Sequence, residues 1–220
     1  MRLAFALLLV VASHGISSAR AAEPEEGFMS LFDGKSLAGW TTAPGAYTVE
    51  NGAIVCVVGS KGNLLSEKEY TDFTLRFDFK LTAGANNGLA IRSPMKQTGN
   101  LHVEGIELQI LDHTDPKYKG LKEYQYNGSV YGVVAAKKEG LKPVGEWNSE
   151  EVTVQGRHIK ITLNGTVIVD ADLDGVDTPT KTLDGVAHPG LTRAKGHVGL
   201  LGHGDRIDVR NVRIKELPAK

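Results

Sequence analysis

Glu151-Val152-Thr153-Val154-Gln155-Gly156-Arg157-His158-Ile159-Lys160-Ile161-Thr162-Leu163-Asn164-Gly165-Thr166-Val167-Ile168-Val169 decides the fold class. Apolar and polar residues alternate on both sides of Gln155-Gly156-Arg157, the period of a strand with one buried face. Asn164-Gly165 is the preferred pair for a two-residue type I′ turn, which needs positive φ at both positions. The stretch therefore predicts a three-stranded antiparallel meander. The same short alternating runs recur outward from it, at Ala53 to Val58, Phe73 to Leu81, Leu89 to Arg92, Gly105 to Leu111, Val130 to Val134, His197 to Gly202 and Ile207 to Leu217. Turn clusters such as Glu50-Asn51-Gly52 and Ala83 to Gly88 separate them, and helix-period stretches are nearly absent. About ten strands at this spacing predict an all-β, two-sheet antiparallel jelly-roll sandwich. The polar, Gly- and Pro-punctuated stretch Asp172 to Lys195 reads as a long loop over one end of it.

The N-terminus has the order of a secretory signal: Arg2, the unbroken apolar run Leu3 to Ala12, then the small-x-small site Ala19-Arg20-Ala21. The run is too short to span a bilayer. We expect cleavage after Ala21, a secreted or periplasmic product, and a single domain over residues 22–220. Once Arg2 and Arg20 leave with the leader, 23 basic face 26 acidic side chains. A nearly neutral surface disfavours nucleic acid and anionic membranes as partners. Cys56, the one cysteine, sits in the apolar run Ala53 to Val58, so it reads as a core thiol in a chain without an internal disulfide.

Candidate chemistry concentrates in Gly105-Ile106-Glu107-Leu108-Gln109-Ile110-Leu111-Asp112-His113. On a strand, Glu107 and Gln109 share one face while Ile106, Leu108 and Ile110 enter the core. Asp112 has the wrong parity and joins them only through a bulge. Two carboxylates on one face can divide acid and base roles across a glycosidic bond. In this respect the segment resembles the catalytic strand of laminarinase-type glycosidases, with Gln109 in the place of the central acid. Tyr131 and Asn148 could hydrogen-bond hydroxyls, and Trp147 could stack on a sugar ring. His102-x-Glu104 is compatible with a metal on one strand face, but the histidines show no paired-ligand spacing. No pattern demands a cofactor; calcium, which backbone oxygens and aspartates bind without a sequence signature, stays open.

Gly27-Phe28-Met29-Ser30-Leu31-Phe32-Asp33-Gly34-Lys35-Ser36-Leu37-Ala38-Gly39-Trp40 resembles the opening of the bacterial 3-keto-disaccharide hydrolase domain, a concanavalin A-like jelly roll. The resemblance continues in order through Tyr70 to Leu75, Asn86-Asn87-Gly88 with Ile91-Arg92, Gly105 to Asp112, Gly128 to Tyr131, Gly145 to Asn148, Leu163 to Gly165, His203-Gly204 and Arg210 to Val212. Asn87 stands where many members carry Ser. The resemblance implies a 3-keto-glycoside substrate, whose ketone acidifies the C2 proton. A base then removes that proton, the aglycone leaves C1 by β-elimination, and hydration completes a net hydrolysis. Glu107 is implied as base or acid, Arg92 as the oxyanion partner and His203 as a proton shuttle. Gln109, Asp112, Tyr131, Trp147, Asn148 and Asn87 are the candidate substrate contacts. Two alternatives stay open at this point: a carbohydrate-binding module without turnover, and a conventional retaining glycosidase using Glu107 and Asp112. Neither the aglycone nor the oligomeric state is legible.

Overall fold

The computed structural model describes residues 25–96, 98–176 and 178–219; the leader expected over residues 1–21 lies outside them. Thirteen strands follow in chain order: β1 (Met29–Ser30), β2 (Trp40–Thr42), β3 (Tyr47–Glu50), β4 (Ala53–Cys56), β5 (Gly62–Tyr70), β6 (Phe73–Leu81), β7 (Asn86–Ser93), β8 (Ile106–Leu111), β9 (Trp147–Gln155), β10 (His158–Leu163), β11 (Thr166–Asp172), β12 (Gly196–Gly202) and β13 (Ile207–Glu216). One helical turn, α1 (Leu101–Glu104), precedes β8. The strands form two antiparallel sheets. The larger runs β11-β10-β9-β6-β13-β4-β3, with β1 also on β13; the smaller runs β2-β5-β12-β7-β8. This is the jelly-roll sandwich that the alternation predicts. No helix among the described residues is long and apolar enough to cross a membrane.

Strand β6 shows why the sheets stack. Phe73, Leu75, Phe77, Phe79 and Leu81 alternate with Thr74, Arg76, Asp78 and Lys80, and each apolar member is at most 2% exposed. Burying such a side chain contributes about 1.5–3 kcal/mol. The matching inner face of the smaller sheet brings Leu64, Leu89, Ile91, Ile106, Leu108, Ile110 and Leu200. The meander forms as expected: β9, β10 and β11 pair in sequence, and Asn164 and Gly165 both take positive φ, 48° and 85°. Cys56 is buried in β4.

Two departures from the sequence reading have simple causes. Strand β5 is unforeseen because Glu67-Lys68-Glu69 interrupts its alternation. Val130 to Val134 does not become a full strand. Instead Gly128 to Tyr131 runs along the free edge of β8, where the Gly128 and Tyr131 N–H groups donate to the Gln109 and Glu107 carbonyls and the Gln109 N–H donates to the Ser129 carbonyl. That segment covers an edge that would otherwise be open to pairing.

Arg92, next to last in β7, has a φ of 47°, which turns its side chain out of the strand's alternation. Its guanidinium is buried, donating to the Thr71 carbonyl and Asp72 Oδ1 at 3.0 Å and to the Arg193 carbonyl at 3.3 Å. Asp72 also accepts from the Gly156 N–H at 3.0 Å, so this pair ties the β9–β10 turn to the end of the sandwich. Removing one partner of a buried ion pair costs about 3–5 kcal/mol. Arg92→Ala should therefore lower the unfolding free energy by about 3 kcal/mol and leave turnover per folded molecule unchanged. Thermal melts and an activity assay on the same preparation check this, and a normally stable, inactive variant would return Arg92 to the chemistry.

Candidate active site

A cleft of about 290 Å³ lies over β8 and the start of β7. Its floor is Glu107, Gln109 and Leu111 of β8 with Asn86 of β7. The register Asn86↔Leu111 through Ile91↔Ile106 is unbroken, so strict alternation sets which side chains face out. Asn100 and His102 of the α1 segment, Tyr118, Leu121 and Gln125 of the following loop, Tyr131 and His203 form the walls. The volume sits at the lower end of small-molecule sites, room for one compact ring rather than a polymer.

Glu107 owes its place to a glycine diagonally across on β7. A Cβ built on Gly88 would lie 2.2 Å from Glu107 Oε1 and 2.8 Å from its Cδ, so the carboxylate occupies the space that a side chain would take. Gly88→Ala should push the carboxylate aside at little cost to stability, because the displaced atoms end a flexible chain. A misplacement of about 1 Å can cost ~10²-fold in rate. Kinetics with the melting temperature test this; unaltered turnover would show that the carboxylate position does not matter.

His203 follows β12 in the turn His203-Gly204-Asp205. The turn is fixed from both sides: Asp205 Oδ2 accepts from the Asn86 N–H at 3.0 Å, and the Gly204 carbonyl accepts from the Gly59 N–H at 2.8 Å. This places His203 Nε2 3.6 Å from Glu107 Oε1. The Glu107 carboxylate raises the His203 imidazole above its ordinary value, against the opposing effect of burial. His102 is shifted the other way: burial lowers it, and the charge of Glu107 only partly compensates. Gln109 Nε2 donates to Asn86 Oδ1 at 3.1 Å, and Gln125 Nε2 donates to Tyr131 Oη at 3.0 Å, so both amides are oriented.

Of the residues expected from sequence, Glu107, His203, Gln109 and Tyr131 meet in this cleft. The others do not. Arg92 is spent in the buried pair described above. Asp112 stays on the opposite parity because β8 carries no bulge; it is buried, accepting from the Gly84 and Thr114 N–H groups and the Thr114 hydroxyl. Burial alone would raise its carboxyl, but these bonds hold it below the ordinary value. Asn87 points between the sheets with no exposure, and its neighbour Asn86 is the cleft residue. Trp147 lies on the outer face of the larger sheet, between Lys80 and Arg210, whose charged groups sit 4.8 and 3.9 Å from its ring centre. Asn148 is buried and accepts from the Lys142 N–H and the Asn164 side-chain amide. Glu104 belongs to α1 rather than a strand and turns back to Thr98, away from His102. No three His, Cys, Asp or Glu side chains among the described residues stand together as metal ligands.

Asn100, Tyr118, Leu121 and Gln125 are cleft residues that the sequence reading does not select, and it raises His102 only for a metal. They come from a helical turn and an irregular loop, where no periodicity announces which way a side chain points. Only the resemblance could have flagged Asn86, which lies in a matched stretch.

Two antiparallel sheets, with a carboxylate and two imidazoles in a cleft over one of them, define a jelly-roll protein with a small polar cleft. Residues 27–215 match the sequence pattern of the 3-keto-alpha-glucoside-1,2-lyase-like domain, and the chain belongs to that family. A 3-keto-disaccharide hydrolase from Bacteroides thetaiotaomicron is 25% identical over 87% of this chain and 79% of its own length. A Parabacteroides distasonis protein taken to be a glycosyl hydrolase superposes with a TM-score of 0.75 at 30% identity, covering 86% of this chain and 99% of its own. A carbohydrate-binding module from Bacillus subtilis, 17% identical with a TM-score of 0.51 over 81% of this chain and 96% of its own, shares the fold.

Proposed function

We propose that this chain is an exported enzyme that cleaves the glycosidic bond of 3-keto-glycosides, by removal of the C2 proton and β-elimination of the aglycone, with hydration giving net hydrolysis. The observation that carries the reading is the Glu107–His203 pair, a carboxylate and an imidazole 3.6 Å apart in one small cleft. Such a pair transfers protons at neutral pH, which both halves of an elimination require. A C3 ketone makes the C2 proton acidic enough for a side-chain base, so a cleft this simple suffices. Arg92 being unavailable, the negative charge developing at the C3 oxygen meets the oriented Gln109 amide.

The alternatives lose their residues. A retaining glycosidase needs two opposed carboxyl groups about 5 Å apart, and Asp112 is engaged with Gly84 and Thr114. A binding module would use Trp147 and Tyr131 as platforms; Tyr131 is in the cleft wall, but Trp147 sits on the other sheet and the two form no common platform. Incubation with a 3-keto-glucoside and with its unoxidised parent tests the proposal. Aglycone release from the ketone alone is expected; release from both, or from neither, would overturn it. Export is expected from the charged, apolar and Ala19-x-Ala21 order of the leader. N-terminal sequencing should find Ala22 first, and a retained Met1 would contradict it.

A further inference from the structure

An elimination of this kind moves two protons at two positions, one off C2 and one onto the leaving oxygen. The Glu107–His203 pair accounts for one of them. Resting on the functional reading above, we propose that His102 is the second catalytic residue, the base that takes the C2 proton, while Glu107 keeps His203 as the acid for the leaving oxygen.

The assignment follows from how the histidines are used. Of the six in the described residues, only His102 and His203 line the cleft. His188 has an acceptor at each ring nitrogen, the His102 carbonyl at 3.1 Å and Asp184 Oδ2 at 2.9 Å. His197 Nδ1 is bonded to the Ser66 carbonyl, His158 pairs with Asp170, and His113 Nδ1 accepts from the Asn127 N–H. The His102 ring nitrogens make no hydrogen bond among the described residues, so they are open to a substrate. The ring is nevertheless held in place. Its edge-to-face neighbour is Tyr131 at 5.3 Å between centroids, with His188 at 5.9 Å behind. The backbone beneath it is clamped, because His188 grips the His102 carbonyl and Asp184 in turn holds His188.

The charges around His102 are those of Glu107 on β8, His203 after β12, and the Asp184–His188 pair behind. Burial outweighs the attraction of Glu107 and favours the neutral ring, whereas His203 against the same carboxylate favours the protonated ring. Two groups driven apart in this way are suited to opposite roles in one turnover. The steps balance without any redox partner. His102 takes the C2 proton, and the C–H electron pair becomes the C2=C3 bond of an enolate with its charge on the C3 oxygen. The ketone then re-forms, the pair moves to C1=C2, the C1–O bond breaks, and the leaving oxygen takes the His203 proton. Solvent restores both rings.

Loss of deuterium from a C2-deuterated 3-keto-glucoside counts the first step; release of the aglycone counts the second. An alkyl aglycone needs an acid, whereas nitrophenolate leaves without one. His102→Gln should lose both readouts on both aglycones, by about 10²–10⁴-fold, and His102→Ala should be partly rescued by added imidazole. His203→Gln should still lose deuterium from C2 and still release nitrophenolate, but not the alkyl alcohol. If either His102 variant misfolds, the wild-type pH profile decides: deuterium loss should fall on the acid side with a midpoint below the ordinary imidazole value. Deuterium loss by His102→Gln at the wild-type rate, or a His102→Gln defect confined to the alkyl substrate, would overturn the assignment. A wild-type protein inert to both ketones would instead overturn the functional reading.

Discussion

Glu107→Gln is expected to lower turnover of a 3-keto-glucoside by about 10²–10⁴-fold, the usual worth of general acid–base catalysis, with an almost unchanged melting temperature. Gln keeps the shape and the hydrogen-bonding capacity but can neither accept a proton nor hold one on His203. The variant should therefore move a second observable as well. The carboxylate raises the His203 imidazole, so its removal should let the His203 titration, followed by NMR, fall toward the ordinary value. Wild-type aglycone release by Glu107→Gln would defeat the mechanism and leave the fold assignment standing. An unmoved His203 midpoint would show that the pair seen at 3.6 Å is not coupled.

Glu150→Leu should raise the melting temperature at pH 8 by roughly 10 °C, and by far less at pH 5. Glu150 lies on the inner face of β9, opposite Phe77 and Leu163, and neither carboxyl oxygen has a hydrogen-bond partner among the described residues. Burial pushes its pKa up to about 8 from an ordinary 4.5. The native chain thus keeps a proton that the unfolded chain surrenders above about pH 4.5. Its stabilising contribution is complete below that pH and is lost as the pH rises toward 8. At about 1.4 kcal/mol per pKa unit the loss approaches roughly 5 kcal/mol. For a chain of this size 1 kcal/mol corresponds to about 2–4 °C. Leucine removes the ionisable group and fills the same apolar space. Melts at pH 5 and pH 8 on both proteins check this, and a lower melting temperature for Glu150→Leu at pH 8 would mean that the carboxyl has a partner after all.

Glu150 also marks where sequence reasoning stops. The alternation of Glu151 to Val169 located the meander, and that of Phe73 to Leu81 matched β6 to the residue. Period-2 parity put Glu107 and Gln109 on the outer face of β8 while their apolar neighbours entered the core. The same parity, carried through β9, places Glu150 among core positions, which composition alone would not suggest. Polar residues that the resemblance offers for the chemistry, Arg92 as oxyanion partner and Asn148 and Asp112 as substrate contacts, are engaged by the scaffold. Arg92 and Asp72 brace one end of the sandwich, Asn148 and Asn164 tie a loop to the meander, and Asp112 closes the turn after β8. A polar side chain that caps a turn and one that binds a hydroxyl look alike in a string of letters. They differ only in whether their partners come from the chain itself, and that is decided by tertiary structure. His102 escaped as a cleft residue for the converse reason: a single helical turn with no period carried it there.

The stretch laid along the edge of β8 has an evolutionary corollary. The carboxylate of the cleft is written into a strand, locked by its ladder to β7, whereas one wall above it is written into the separate stretch from Tyr118 to Tyr131. Gly128, at a φ of 81° and with Ile168 where a Cβ would go, is the pivot at which that wall joins the edge. Floor and wall can therefore drift at different speeds. Insertions or exchanges between Tyr118 and Gln125 would remodel what fits in the cleft without disturbing a rung of the sheet. Diversity among relatives in the size of the leaving group should thus be stored in that one loop, and grafting it between homologues is the direct way to exchange their preferences.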